Sequence, residues 1–481
     1  MRHNLSTASG SDFIRLALPK GRLLSATACL LSQAELKFED YTPGTRAYRL
    51  KSARLPNLSA KIFQEKDIPV QVAVGNYDLG ICSQDWIEEL LAKYPSSAVL
   101  KVADLAFGKG NLYLAASRYG KIASVQDLAT DQNWRIVTEY PNLAELAALA
   151  LRLKRFNIFP VWGAAEAYPP ENADLVLLWA KDERELESQS LAPLSTLMPS
   201  TTFLIANRDS WQTKNVSRIM NYLSRALEMP DKPWQKIKAQ SRKSSNDYRP
   251  VSNKDKVWLA LPDGHQQPPT AELLSRAGLD VRGYSEDNLS RRPVFREDDI
   301  VAKVIRPQDM PLQVANGNFD LAITGRDWLL DHVSRFPSSP LVELLDLGFG
   351  QVRVVAVVRQ EVPATDINEF KRAQDFNASP IRVASEYINI ADKYLRDNRV
   401  GQYKLIPTWG ASEAFLPEDA DLLIENTQTG KTLAKHNLKI LDTIMQSTAC
   451  LIGNKDSLGV PSKKRVINSL IATLKKAAKG D

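Results

Sequence analysis

K-D-I-P-V-Q-V-A-V-G-N-Y-D-L-G-I, residues 66–81, returns as Q-D-M-P-L-Q-V-A-N-G-N-F-D-L-A-I at residues 308–323, with ten of sixteen positions identical. Chance does not repeat sixteen residues that closely, and the segments on either side return in the same order. L-A-L-P-K-G at 16–21 becomes L-A-L-P-D-G at 259–264, Asp104-Leu105-Ala106-Phe107-Gly108 becomes Asp346-Leu347-Gly348-Phe349-Gly350, and Trp162-Gly163-Ala164-Ala165-Glu166 becomes Trp409-Gly410-Ala411-Ser412-Glu413. A period of about 245 residues is too long for one supersecondary unit. Each copy is therefore a whole globular module, and the chain is a covalent pseudo-dimer.

Within a module the pattern is α/β. Residues 14–18 predict a short apolar strand, 21–34 carry Leu23, Leu24, Ala28 and Leu31 at helical spacing, 78–82 predict a buried strand, and a helix starts over 86–91. Such alternation implies a mainly parallel sheet covered on both faces. The P-P-E-N and L-P-E-D segments, and the return of the chain into 447–453, predict two lobes per module with a cleft between them. Ligands of such sheets bind beyond the carboxyl ends of the strands, where L-P-K-G-R and T-G-K-T sit. Residues 1–12 read as a tail, 13–228 as the first module, 229–255 as a polar, proline-bracketed linker and 256–481 as the second module.

The chain has 481 residues, 44% hydrophobic and 25% charged, as expected of globular domains with cores of normal size. Its net charge of +6 comes without any run of five basic residues or any alternation of aromatic and basic residues, which argues against a nucleic-acid groove. Polyanionic small substrates account for the surplus. Cys29, Cys82 and Cys450 have no metal-ligand spacing and read as core thiols in a reducing compartment. No stretch approaches eighteen apolar residues, so a cytoplasmic protein with no membrane partner is expected.

The chemistry centres on A-D-L-L-I-E-N-T-Q-T-G-K-T-L, residues 420–433. Residues 421–424 predict a buried strand, and a phosphate loop follows. Gly430 lets the backbone approach an anion, Thr427, Thr429 and Thr432 supply hydroxyls, and the next helix points N–H groups the same way. Asp421 and Glu425 fall on one strand face, where two carboxylates suit ribose hydroxyls or a metal-bound diphosphate. Gly430-Lys431-Thr432 is not the tail of an NTPase loop, because the glycine needed five residues earlier is Glu425.

Carboxylates followed by T-x-T-G-x-T resemble the loop with which phosphoribosyltransferases hold phosphoribosyl diphosphate. With L-A-L-P-K-G-R-L, D-L-G-F-G, S-E-Y-x-N-I-A and W-G-A-S-E-A in order, the chain resembles ATP phosphoribosyltransferase, over residues 13–228 and again over 256–477. The resemblance implies the first step of histidine biosynthesis: ATP joined through N1 of adenine to phosphoribosyl diphosphate, with release of pyrophosphate. It implies a fold of two lobes like those of periplasmic solute-binding proteins. It also implies a need for Mg2+, carried on the substrate diphosphate, with Asp421 or Glu425 as the protein's candidate ligands. By the same resemblance, Glu413, Asn426, Lys431, Tyr387 and the Thr324-Gly325 pair join the substrate site. A homo-oligomer or a separate regulatory subunit is the expected partner, and an ACT-like regulatory domain is not expected. The chemistry suits the residues: N1 of neutral adenine needs no general base, whereas departing pyrophosphate needs cations. His3, His265, His332 and His436 are scattered and read as structural or solvated.

The copies differ in complementary places. At the position of Thr429-Gly430-Lys431-Thr432 the first module has Asp182-Glu183-Arg184-Glu185, three carboxylates that repel phosphate, and it has Cys82-Ser83 in place of Thr324-Gly325. The second module has Asp263-Gly264-His265 where the first has Lys20-Gly21-Arg22, and the first adds Arg46, Arg49, Lys51 and Arg54. One composite site per chain is expected, with the second module holding the phosphoribosyl group and Lys20, Arg22, Arg46 and Arg49 reaching across. Two alternatives stand beside it: a self-sufficient second module with a regulatory first one, and a non-catalytic two-lobed binding or sensing protein. Glu413 and Glu166 read equally as cleft wall or as ligand contacts. Trp86, Trp162, Trp328 and Trp409 read as core, as does the apolar helix over 143–153.

Overall fold

Pro69 and Pro311 stand in the first turns of the helices Ile68–Ala73 and Met310–Ala315, where a missing N–H costs nothing. Gly75 and Gly317 follow those helices with φ of 78° and 71°, a left-handed turn that glycine enters without strain. The strands Leu79–Ser83 and Leu321–Gly325 come next. The repeat is thus a repeat of structure, element for element.

In the computed structural model, residues 13–44, 49–237, 255–285, 289–373, 380–410 and 412–479 are described. Each module has two lobes. In the first, Ile14–Pro19 pairs in parallel with Leu58–Phe63 and Leu79–Ser83, and Thr202–Asn207 lies antiparallel between Leu79–Ser83 and Val99–Asp104. The second lobe holds Asn133–Thr138 in parallel between Arg155–Pro160 and Leu175–Ala180, with Gly110–Ser117 and Leu191–Ser200 antiparallel. The second module repeats both sheets, and a hairpin of Val281–Tyr284 with Leu289–Phe295 precedes its Ile300–Ile305 strand. The sheets are mixed rather than mainly parallel, because the chain crosses to the second lobe and then sends one strand back into the first.

The modules are joined head to tail. One hydrophobic cluster combines Tyr113, Val176 and Tyr168 of the first module's second lobe with Met310, Phe319 and Ile452 of the second module's first lobe. Its counterpart combines Phe63, Ile68 and Ile205 with Val355, Phe415 and Leu423. Buried lysines cross the same joints: Lys61 Nζ donates to Asp419 at 2.7 Å, and the fully buried Lys303 Nζ donates to Glu171 at 2.8 Å. The two halves share their cores, as an obligate dimer does.

Two expectations shift. The linker begins later, because Trp234, in the short helix Pro233–Lys236, is completely buried in the first lobe's core. The helix Pro141–Ala150 buries only part of its apolar surface; Leu146 and Leu149 are about half exposed, at 50% and 57%.

Candidate active site

Each cleft is built on one buried aspartate at the start of the helix after the D-L-x-I strand. Asp327 accepts the Tyr387 hydroxyl at 2.6 Å and the Ser447 hydroxyl at 2.7 Å, which ties the first lobe to the second and to the crossing between them. Asp85 does the same with Tyr140 at 2.7 Å and Ser200 at 2.5 Å. Trp328 stacks on Tyr387 and Trp86 leans on Tyr140, each pair with centroids 4.3 Å apart. Gly325 leaves room for Asp327, since a Cβ there would lie 2.1 Å from its Oδ1.

In the second module the strand Leu422–Thr427 runs into the loop, further than the sequence predicts, so that Glu425, Asn426 and Thr427 belong to the strand. Gly430, at φ 73°, turns the chain into the helix Lys431–Lys435, and its N–H donates to Thr427 Oγ1 at 3.0 Å. Thr427, Thr429, Lys431 and Thr432, with Glu386, Glu413 and Glu425, line a polar cavity of about 380 Å³. A second cavity of about 120 Å³ adjoins it, with Asp263, His265, Arg306, Gln308 and Trp328 in its walls. Glu386 and Asn426 line both. Asn426 is fixed by donating from Nδ2 to the Tyr387 hydroxyl at 2.7 Å. Burial pushes the Glu425 carboxyl well above the usual carboxylate range, and Glu386 and Glu413 push it further.

Other predicted residues stand elsewhere. Asp421 is just outside the strand at its far end, where its carboxylate takes Arg382 Nη2 at 2.9 Å and Arg382 N at 2.9 Å. Four residues of strand, roughly 13 Å, separate it from Glu425. Asp174 and Arg135 make the same pair in the first module at 2.9 Å, so this is a structural clasp. Glu425 accepts the Ser412 hydroxyl and its neighbour's N–H. Neither carboxylate fits as part of a resident metal site, and among the described residues no three carboxylate, histidine or cysteine groups are placed to hold a metal. Thr324 is buried and donates to Pro307 O at 2.9 Å.

The first-module cations divide. Arg22 does not cross: its guanidinium stays in the first cleft, 2.8 Å from Glu65 and 3.3 Å from Asp85, with its carbon 3.9 Å from the Trp179 ring centroid. Burial opposes that charge, but Glu65 and Asp85 outweigh it and hold the guanidinium above its ordinary pKa. Arg49 does cross, to Glu418 at 3.0 Å and the carbonyl of Leu416. Its counterpart Arg292 makes the mirrored contacts to Glu171 and Pro169 O, so both arginines are joints between modules rather than site cations. Arg46 lies outside the described residues. Lys20 follows the strand Ile14–Pro19, with its N–H bonded to Phe63 O at 2.8 Å.

The first cleft is filled by its own side chains. Glu65, Ser83 and Trp179 occupy the positions of Pro307, Gly325 and Asn426, and Ser83 bonds to both Glu65 and Arg22. At the position of Thr429 to Thr432 in the second module, Asp182 accepts the N–H of Glu185 and Glu185 accepts that of Lys181, a self-capped helix start.

A family model described as HisG, ATP phosphoribosyltransferase, matches residues 64–228 and again 306–476. The chain belongs to the ATP phosphoribosyltransferase family. The family's enzymes from Chlorobium phaeovibrioides and Chlorobaculum parvum are each 33% identical to it, over 228 and 233 residues, which is 47% of this chain and 74% of each relative. Among solved structures, the ATP phosphoribosyl transferase (HisG:HisZ) complex from Thermotoga maritima aligns at 22% identity and a TM-score of 0.38, over 47% of this chain and all of that one. The alkanesulfonate-binding protein SsuA from Xanthomonas axonopodis pv. citri aligns at 17% identity and 0.32, over 44% of this chain and 72% of that one. Two family segments in one chain make it a fusion of two family modules.

Several residues of this phosphoribosyltransferase-family cleft escaped the sequence reading. Arg306 borders the smaller cavity, 3.2 Å from Asp263, and Arg291 meets both Asp263 at 2.8 Å and Glu166 of the first module at 3.4 Å. His265, read as structural or solvated, is in the cavity wall. Trp162 and Trp409 are half-buried where the modules meet, 6.2 Å apart, with Trp162 packed from the first module against the second module's core at Trp328. The signal for Arg306 was visible as a basic residue opening R-P-Q-D-M-P, where the first module has Gln64.

Proposed function

We propose that this chain transfers the phosphoribosyl group of phosphoribosyl diphosphate to N1 of ATP at one site, in the second module's cleft. The bond from N1 to the anomeric carbon forms as the bond from that carbon to pyrophosphate breaks, and the electron pair leaves with pyrophosphate. The observation that carries this reading is the pair of adjoining cavities in one cleft, set against a first cleft already filled by Arg22 and Trp179. Thr427, Thr429, Gly430, Lys431 and Thr432 hold the 5′-phosphate end, and Arg306 faces the leaving group or the triphosphate. Mg2+ enters as the magnesium complex of the diphosphate substrate.

The first module contributes Lys20 by pseudo-symmetry. Its counterpart Asp263 meets Arg291, which also meets Glu166. The relation that carries Asp263 onto Lys20 carries Glu166 onto Glu413, and so sets Lys20 towards the wall of the larger cavity. The described residues include no helix long and apolar enough to cross a membrane, and the reading places the enzyme in the cytoplasm.

Pyrophosphate release from ATP and phosphoribosyl diphosphate, with Mg2+, tests the reading. The wild type turns over, Lys431→Ala loses at least about tenfold in kcat/KM, and titration with phosphoribosyl diphosphate gives one site per chain. No pyrophosphate from a folded wild type, or two sites per chain, overturns it.

A further inference from the structure

Lys66 sets its ammonium beside the paired indole rings of Trp162 and Trp409, 5.2 Å and 5.0 Å from centroids that are themselves 6.2 Å apart. Each module's W-G-A segment supplies one ring, so this cation from the first module sits at the pseudo-twofold relation between the copies. Its counterpart is Gln308, a neutral wall residue of the second cleft. The charge is thus a single one where a symmetric dimer would carry a pair or none.

Four carboxylates face the ammonium: Glu139 and Asp67 from the first module, Asp309 and Glu386 from the second. Asp309 is fixed by the Trp162 N–H at 3.0 Å, whereas Asp67 Oδ2 is buried without a hydrogen-bond partner among the described residues. Glu386 accepts a backbone bond from Gly410 and lines both cavities of the second cleft. Its neighbours Asp67, Glu413, Asp327 and Glu425 are acidic, while Arg306 and Lys431 stand in the walls of the two cavities that it lines. Lys66 is the strongest of the influences that favour the ionised Glu386, so without it the surrounding carboxylates push that group further towards protonation.

We propose that Lys66 is a positioning residue for the second module's site, its ammonium resting against the paired tryptophans so as to hold Glu386 in the wall shared by both cavities. The inference rests on the phosphoribosyl-transfer reading. Packing alone would keep a role for the aliphatic stem, which Lys66→Gln largely preserves while making the two sides of the axis match.

The test compares wild type, Lys66→Gln and Lys66→Arg. In Lys66→Gln, KM for phosphoribosyl diphosphate rises about tenfold with little change in melting temperature, the scale of one lost charge contact. Lys66→Arg, which keeps the cation over the indoles, stays within about threefold of wild type. Tryptophan fluorescence without substrate shows a titration near neutral pH that moves upward in Lys66→Gln and shrinks to the share of Asp67 in Glu386→Gln. An unchanged KM and an unchanged fluorescence titration in Lys66→Gln overturn the proposal. A wild type that makes no pyrophosphate sinks the transfer reading instead, and the substrate-free titration still decides whether Lys66 holds Glu386.

Discussion

The guanidinium of Arg22 lies over the indole of Trp179 at 3.9 Å and fills the first cleft with two of the protein's own side chains. The pair bridges the lobes, since Arg22 follows a first-lobe strand and Trp179 lies on a second-lobe strand. Trp179→Asn, which installs the second module's residue, loses the stack and lowers stability by about 1–2 kcal/mol in urea unfolding. It does not create a second binding site, because Asp182 and Glu185 still cap the helix start. Calorimetry with phosphoribosyl diphosphate stays at one site per chain. A second site would show that Trp179 alone had closed the first cleft.

Arg49 and Arg292 are related by the same pseudo-symmetry but differ in burial. Arg292 and Glu171 are 14% and 9% exposed, whereas Arg49 and Glu418 are 39% and 42% exposed. An exposed pair contributes under about 1 kcal/mol, while breaking a buried one costs more, here with Lys303 still meeting Glu171. Arg292→Ala therefore lowers the unfolding free energy by roughly 2 kcal/mol or more, and Arg49→Ala by less than half of that. Equal losses would mean that burial does not rank these joints.

The duplication was legible because both copies keep the turn glycines, the helix prolines and the D-L-x-I strand, which are local signals. The two-lobed module was legible too, while the mixed sheets were not, because strand direction depends on where Thr202–Asn207 and Ala449–Asn454 re-enter their sheets. The turn from strand to helix at Gly430 could be read from its residue types. Asp421 could not be placed, because period two gives the face of a strand but not which end meets the ligand, and Arg382 is 39 residues away. Arg22 misled for a related reason: a cation beside a strand end looks free until Glu65, Ser83 and Asp85 converge on it. Lys66 depends on two tryptophans from different modules, a juxtaposition no local pattern contains.

Gly430 holds φ at 73° with open space where a Cβ would be, so Gly430→Ala meets no clash and acts through the backbone alone. A left-handed residue other than glycine costs about 1–2 kcal/mol, enough to re-aim the loop. The affinity for phosphoribosyl diphosphate falls about tenfold in calorimetry, while the melting temperature without ligand moves only slightly. Unchanged affinity would separate the loop's conformation from binding.

Burial raises the Asp67 carboxyl to about 8, with Lys66 pulling it down and Glu386 pushing it up. Its pKa in the unfolded chain is about 3.9. Folding therefore favours the protonated form: the contribution is full below about pH 4, shrinks as pH rises, and is lost as pH passes through 8. Burial lowers the Lys66 ammonium, which gives the opposite slope, since ionising that amine costs stability at lower pH. Asp67→Asn removes the carboxylate's share without adding a charge. Relative to wild type, its melting temperature rises between pH 5 and pH 9, by about 1 °C for each kcal/mol regained in a chain of this size. A difference that stays flat across that range would mean that Asp67 is ionised throughout, its charge carried by Lys66.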